Sequence, residues 1–215
     1  MIPSNCDQPT IQPAQSETKR YPTILADPPW DIQQKGNYGA INHYRLMTLQ
    51  QIKSLPVADL AADDAHLWLW TTNAALESAY QVVRAWGFTP RSLMTWTKPR
   101  LGLGVYLRNC TEQVIFATRG RAPIQFRSQP TWLFAPLQEH SHKPEELYDV
   151  IERCSPGPYL ELFARRRRQG WDCWGNEVEP DVTFGGLERA NETTNDATER
   201  PNETESNEPS GGDHE

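Results

Sequence analysis

Asp27-Pro28-Pro29-Trp30 closes the apolar run Tyr21–Ala26, and it is the tetrapeptide in this chain best equipped for chemistry. The run has the length and composition of a buried strand, and two successive prolines forbid it from continuing. The turn that follows carries one carboxylate, the carbonyls of Pro28 and Pro29 without competing N–H donors of their own, and one large aromatic face. Such a set suits a planar base held by its face while acceptors grip its amino group. It suits equally a strand-ending turn with a core tryptophan. A second loaded segment is Tyr159-Leu-Glu161-Leu-Phe163, which sets an acid inside an apolar strand and so requires a partner for it. Arg165-Arg-Arg167-Arg168 follows at once, and Asn176-Glu177 ends the next apolar run, where an acid or amide can reach ribose hydroxyls. Upstream, His140-Ser-His142-Lys143-Pro144 leads into a helical pattern, and a lysine there is placed to meet a carboxylate or phosphate. Each also has a plain structural use, as a solvated arginine turn, loop histidines or a surface lysine. His140 and His142 are spaced like a metal pair but lack a third ligand, and no metal is expected. Neither common glycine-rich phosphate loop is present, which argues against nucleotide hydrolysis and hydride transfer.

The elements that must position these residues alternate. After the first strand and a Gly/Asn/Tyr-rich loop, Thr48 is the expected N-cap of a short helix to Leu55. His66–Thr71 reads as a buried strand, and Asn73 as the cap of a helix through Trp86, ended by Gly87. Ser92–Thr97, Glu112–Thr118 and a short Thr131–Ala135 read as strands. Pro144 starts a helix to Cys154 with Leu147, Val150 and Ile151 on one face. Tyr159–Ala164 and Gly170–Trp174 complete the set. Apolar strands alternating with helices imply an α/β sheet covered on both faces, with ligands outside the carboxyl ends of its strands.

The 215 residues suffice for one sizeable core. The net charge of −7 resides in the tail: nine acidic and two basic residues fall between Phe184 and Glu215, and the remainder is neutral. Within that neutral body Arg91, Lys98, Arg100, Arg108, Arg119, Arg121 and Arg127 share one stretch with few acids, Glu112 being the exception. This is a candidate phosphate-facing surface, or else an ordinary solvated one. Three regions are expected: a flexible leader over 1–20, a catalytic domain over 21–180, and a disordered acidic tail over 181–215. Four cysteines without metal or disulfide spacing, and no signal or membrane-spanning run, imply a reducing, cytoplasmic setting without membrane contact.

Read together, the segments Ala26-Asp-Pro-Pro-Trp30, Leu67-Trp-Leu-Trp70, Trp96-Thr-Lys98, His140-Ser-His-Lys-Pro-Glu145, Ile151-Glu-Arg153, Ser155-Pro-Gly157, Glu161-Leu-Phe163 and Trp174-Gly-Asn176 resemble one family in their order. It is that of the catalytic subunit of the eukaryotic mRNA N6-adenosine methyltransferase, with its bacterial and phage DNA-adenine relatives. The resemblance implies a Rossmann-like S-adenosylmethionine-dependent fold with a mostly parallel sheet, helices on both faces, and a catalytic motif preceding the cofactor motif. It implies methyl transfer to the exocyclic N6 amine of adenine in nucleic acid, with DNA preferred for so compact a chain. An RNA substrate and a catalytically inactive nucleic-acid-binding partner are the alternatives. By the same resemblance Asp27 and the Pro28 carbonyl accept from the adenine amine, Pro29 shapes that turn, and Trp30 lies against the base. Asp27, Lys143, Glu161, Phe163, Arg165, Arg167, Arg168, Asn176 and Glu177 match the region that holds S-adenosylmethionine. Tyr44 and Trp96 match positions near the target base. Lys98, Arg100 and Arg108, from the basic stretch, are the further candidates for substrate contact. The chain departs from its relatives at Arg167-Arg168, where a His-Asn pair is common, and at Glu177, where a Gln is.

Overall fold

A computed structural model describes residues 19–31, 46–102, 106–137 and 142–184. Those up to Thr183 form one compact unit. Among the described residues seven strands make a single sheet: β1 (Tyr21–Ala26), β2 (Ala61–Thr71), β3 (Thr89–Thr97), β4 (Thr111–Arg119), β5 (Trp132–Phe134), β6 (Tyr159–Leu162) and β7 (Trp171–Trp174). Their order is β5-β3-β4-β2-β1-β6-β7. β1 pairs in parallel with both β2 and β6, β6 with β7, and β3 with β5, whereas β4 is antiparallel to both its neighbours. Six strands therefore point one way and β4 alone runs back. The sheet is mostly parallel, as expected, and this is a Rossmann-like α/β fold.

The order also reveals where the chain reverses its direction of travel. From β1 it moves outward through β2 to β5, then returns by α4 (Glu146–Cys154) to lay β6 against the other side of β1. Adjacent strands whose connections leave in opposite directions open a crevice between their carboxyl ends. Ala26 sits opposite Leu162 at that end, and Asp27 N–H makes the last rung to the Leu162 carbonyl at 3.4 Å.

Strand alternation divides the core into two layers. Leu25, Trp68, Trp70, Met94, Trp96, Val114 and Phe116 face α4 and pack with Leu147, Tyr148, Val150, Ile151 and Trp171. The intervening residues, such as Ile24, Leu67, Leu69 and Ile115, are equally buried and point the other way. There α3 (Leu76–Ala85) packs on β2, β3 and β4, with α1 (Leu49–Ser54) against it. The Trp86 indole N–H, just past α3, donates to the Ile52 carbonyl of α1 at 2.9 Å. A one-turn helix, α2 (Val57–Leu60), leads into β2.

Thr48 caps α1 with a full capping box to Gln51. Asn73 does not cap α3. Ala75 N–H meets the Thr72 hydroxyl instead, while the Asn73 amide donates to Thr111 and accepts from Gln113. Cross-strand partners at the start of β4 outbid the helix for that side chain, a competition local pattern cannot register. Beneath the return to β6, the buried Ser155 hydroxyl accepts from the Trp68 indole at 3.0 Å and meets His66 Nδ1 at 2.8 Å. His66 Nε2 faces the Ala122 carbonyl at 2.9 Å, so this nitrogen carries the proton. Burial lowers the His66 pKa, with the Ala122 bond opposing.

Candidate active site

The two loaded strand tips meet. Asp27 after β1 and Phe163 and Arg165 after β6 all line a cavity of about 370 Å³, joined by Pro29, Met47, Asn176 and Glu177. That volume falls within the usual range for a small-ligand pocket of roughly 300–1,000 Å³. A narrower recess of about 40 Å³ shares Asp27, Phe163 and Arg165 and adds Trp70, Lys143, Tyr148 and Glu161.

A row of alternating charges crosses the mouth of the sheet. Lys143 Nζ lies 3.0 Å from Asp27 Oδ2 and 3.3 Å from Glu112 Oε2, and the other Glu112 oxygen accepts from Lys98. Glu112 reaches this end only because β4 runs backwards, which places its first residues beside the last residues of β2 and β3. Burial works against the charge on Lys143, but Asp27 and Glu112 outweigh it and hold the ammonium's pKa above the usual lysine value. Burial likewise opposes the Glu112 carboxylate, and Lys143 with Lys98 overcomes it, so the pKa falls below the ordinary range. Two indoles underlie the row: Lys143 Nζ is 5.4 Å from the Trp70 ring and Lys98 Nζ 4.7 Å from that of Trp96.

Glu161 answers the question its strand posed. The Tyr148 phenol donates to its carboxylate at 2.9 Å. Burial nevertheless pushes the Glu161 pKa up to about 7; the Tyr148 bond pulls it down, Asp27 adds to the rise, and Arg168 opposes it. Burial and the nearby Glu161 charge raise the Tyr148 pKa well above the ordinary phenol range. Phe163, next along, has φ +65°, a conformation unusual for a bulky residue and worth roughly 1–3 kcal/mol of strain. Its ring packs edge-on against Trp174. One step further, Ala164 N–H bonds the Trp174 carbonyl at 3.0 Å. A Cβ on Gly175 would stand 2.1 Å from the Ala164 oxygen, so only glycine permits this approach of the two chains lining the cavity.

The predicted residues are sorted by these contacts. Asp27, Pro29, Phe163, Arg165, Asn176, Glu177, Lys143 and Glu161 line one or both cavities. Arg165 Nε is 3.8 Å from Glu177. Arg167 and Arg168 line neither: Arg167 binds Asp181 and the Glu179 carbonyl, fastening the chain after β7. Arg168 lies over Tyr148 and pairs with Glu145, Asp149 and Glu152 of the α4 region, and Arg166 also pairs with Glu145. Trp30 is only 9 % exposed, lines neither cavity, and donates its indole N–H to the Trp70 carbonyl at 3.1 Å. The turn's carbonyls are not without donors: Pro28 O accepts from Trp30 N–H and Pro29 O from Met47 N–H, both at 2.9 Å. Each keeps one lone pair. Trp96 is buried beneath Lys98 and outside both cavities. Tyr44 and His140 lie outside the described residues.

The basic stretch does not form one surface. Lys98, Arg100 and Arg108 stand at the Asp27 end of the sheet, whereas Arg119, the last residue of β4, pairs with Ala65, six residues back from the Thr71 end of β2. Arg91 bonds Thr118 and Arg119 the Ala58 carbonyl, at the far end. Glu112, Tyr148, Trp70 and Met47 are site residues that sequence reasoning passed over. Glu112 had a signal as the one acid in that stretch, and Trp70 as the end of the Leu67–Trp70 segment. Among the described residues, no group of three or more His, Cys, Asp or Glu is placed to hold a metal, and no helix is long and apolar enough to cross a membrane.

A Rossmann-like sheet whose switch-point crevice joins an Asp-Pro-Pro-Trp turn to a glutamate-bearing strand defines a methyltransferase. Residues 21–177 match the MT-A70 family, and the chain belongs to it. It is 31 % identical over 186 residues to the Type II methyltransferase M.MunI of Mycoplasma sp, covering 76 % of this chain and 79 % of that protein. It is 30 % identical over 182 residues to the human N(6)-adenosine-methyltransferase catalytic subunit METTL3, covering 76 % of this chain but 30 % of that protein. The MT-A70-like N(6)-adenosine-methyltransferase of Arabidopsis thaliana is 30 % identical over 166 residues, with 72 % of this chain and 23 % of that one covered. The chain thus spans most of the bacterial relative and under a third of either eukaryotic one.

Proposed function

We propose that this chain methylates the N6 amine of adenine in DNA, using S-adenosylmethionine. The observation that carries this reading is the convergence of Asp27, Lys143, Glu161 and Arg165 on adjoining cavities at one switch point. The residues fit that cofactor. Lys143 and Arg165 offer cations, and Glu161 a carboxyl group, for an amino-acid moiety. Asn176 and Glu177 follow the end of β7, where ribose hydroxyls are met, and Phe163 supplies an aromatic wall. When bound, the cofactor supplies an electrophilic methyl group on a sulfonium centre.

Everything else falls to the protein. The adenine amine is a poor nucleophile because its lone pair is delocalised into the ring. The Asp27 carboxylate and the remaining Pro28 lone pair accept its N–H bonds and favour a pyramidal nitrogen. Lys143 pins the carboxylate from behind. Fixing both reactants in a near-attack arrangement is worth about 7–11 kcal/mol. The extra proton on the methylated amine is acidic and departs afterwards, so no strong base is required. A duplex substrate must first give up its base from the stack. DNA is favoured because the relative that this chain nearly spans is a Type II methyltransferase; the METTL3 likeness keeps RNA as the second reading. The cytoplasmic setting expected from the sequence is part of this proposal.

Nucleoside mass spectrometry after incubation with labelled cofactor tests this directly. Asp27→Asn, which keeps shape and removes charge, should lower turnover by about 100-fold or more while calorimetric cofactor affinity changes less than about tenfold. Equal losses in both would sink the assigned division of labour. A higher kcat/KM on RNA than on DNA of the same sequence would overturn the substrate assignment.

A further inference from the structure

The sheet ends four strands from Asp27 on β5, and among the described residues that edge presents exposed apolar side chains. Trp132 is 61 % exposed and Phe134 59 %, while Leu133 between them packs inward on the core. The parallel register sets Trp132 beside Thr95 and Phe134 beside Thr97, so both rings stand on one face near the carboxyl end of β3. From that end β3 and β4 continue as a two-stranded arm, with Lys98 N–H bonded to the Cys110 carbonyl and Gly102 N–H to that of Asn109. Tyr106 on this arm is 98 % exposed, and Leu101 and Leu107 are exposed too. Two arginines flank them. Arg100 and Arg108 are exposed and make no ion pair among the described residues, Arg108 donating only to the Gly102 carbonyl. Residues 99–111 and 119–137 contain no Asp or Glu at all. Exposed apolar side chains accompanied by two arginines that form no ion pair among the described residues, in segments without a carboxylate, fit a polyanion with flat apolar faces better than a neutral protein surface. Arg100 and Arg108 lie beyond Lys98 on the strand pair that carries the end of the row of charges reaching back to Asp27, while Trp132 and Phe134 stand on the other face of the same edge.

We propose that this edge binds the nucleic-acid strand flanking the target adenine, in single-stranded form. Trp132, Phe134 and Tyr106 stack on unpaired bases, and Arg100 and Arg108 meet phosphates. The inference rests on the reading of Asp27 as the place where the target base is held. Four strand spacings of about 4.8 Å set β5 roughly 19 Å from Asp27 across the sheet, the shortest span the nucleic-acid strand must cross. At roughly 3.4 Å per stacked nucleotide, that distance is about five or six nucleotides. Stacking of this kind is tolerant of sequence and needs a base with a free face.

The test is fluorescence anisotropy of the full chain with end-labelled oligonucleotides, each bearing one adenine: a single-stranded trimer, a single-stranded 12-mer and a 12-base-pair duplex. The 12-mer single strand should bind more tightly than the trimer or the duplex. In the double variant Trp132→Ala/Phe134→Ala its Kd should rise about tenfold or more. Arg100→Ala/Arg108→Ala, which alters only exposed side chains, should flatten the slope of log K against log salt by about 1.4. A change of less than twofold in Kd together with an unaltered salt slope overturns the proposal. So does a wild-type dimer in sedimentation velocity that the aromatic variant dissociates, since that would assign the edge to a second copy of the chain. These readouts do not require methyl transfer: tight, aromatic-dependent binding without any methylated product would refute the N6 reading and leave the platform standing.

Discussion

Glu112→Gln removes one charge from the row at the sheet mouth and nearly preserves its shape. Glu112 and Lys143 are 3.3 Å apart. At an effective dielectric constant of about 20, a unit pair at that distance attracts by about 5 kcal/mol. Most of this is offset by the desolvation that both groups have already undergone, and a charge-assisted hydrogen bond nets about 1.5–3 kcal/mol. If the whole of it serves to hold Lys143 against Asp27 during turnover, kcat/KM falls by about 10- to 150-fold. The decisive assay is a double-mutant cycle with Lys143→Met, read in steady-state kinetics and in urea unfolding. Once Lys143 is gone, Glu112 retains only its bond to Lys98, so Glu112→Gln should cost far less in that background than in the wild type. The coupling should therefore be about 1.5–3 kcal/mol. A coupling below about 0.5 kcal/mol would mean that Glu112 acts independently of Lys143, and the reasoning about the charge row would be wrong.

Three further outcomes follow from the same geometry. The Glu161 pKa is raised from 4.5 to about 7, so the folded state binds its proton more tightly than the unfolded one. Its contribution is fully present below pH about 4.5 and is lost as the pH rises through 7, an effect of about 3 kcal/mol; Glu161→Gln should remove that part of the stability decline between pH 5 and 8 in urea titrations, and an unchanged slope would refute it. Gly175→Ala drives a methyl group into the Ala164 backbone; it should destabilise by about 1–3 kcal/mol and weaken cofactor binding in thermal-shift titrations, and wild-type behaviour in both would show that the two chains are not packed as described. Trp30→Phe removes the indole donor to the Trp70 carbonyl but leaves most of the ring; unfolding should become about 1 kcal/mol easier with turnover altered less than about threefold, whereas a large kinetic loss at unchanged stability would restore Trp30 as a base platform.

The strand tips, the capped helix at Thr48 and the disposition of apolar runs were legible in the sequence because they are local. Prolines stop a strand wherever it lies, and apolar period distinguishes strand from helix without reference to neighbours. The ordered motifs also sufficed for the family and for the crevice between Asp27 and Phe163. What lay beyond the sequence was which ends of which strands share a side. Only the antiparallel insertion of β4 carries Glu112 to Lys143 and sends Arg119 to the opposite end, so one basic stretch becomes two unrelated groups. Only packing shows that Trp30 is enclosed, that Asn73 prefers β4 to its helix, and that Arg167 and Arg168 turn from the cavity toward Asp181 and α4. Side chains choose among partners distant in sequence, and that choice depends on strand register and direction, which no local window contains.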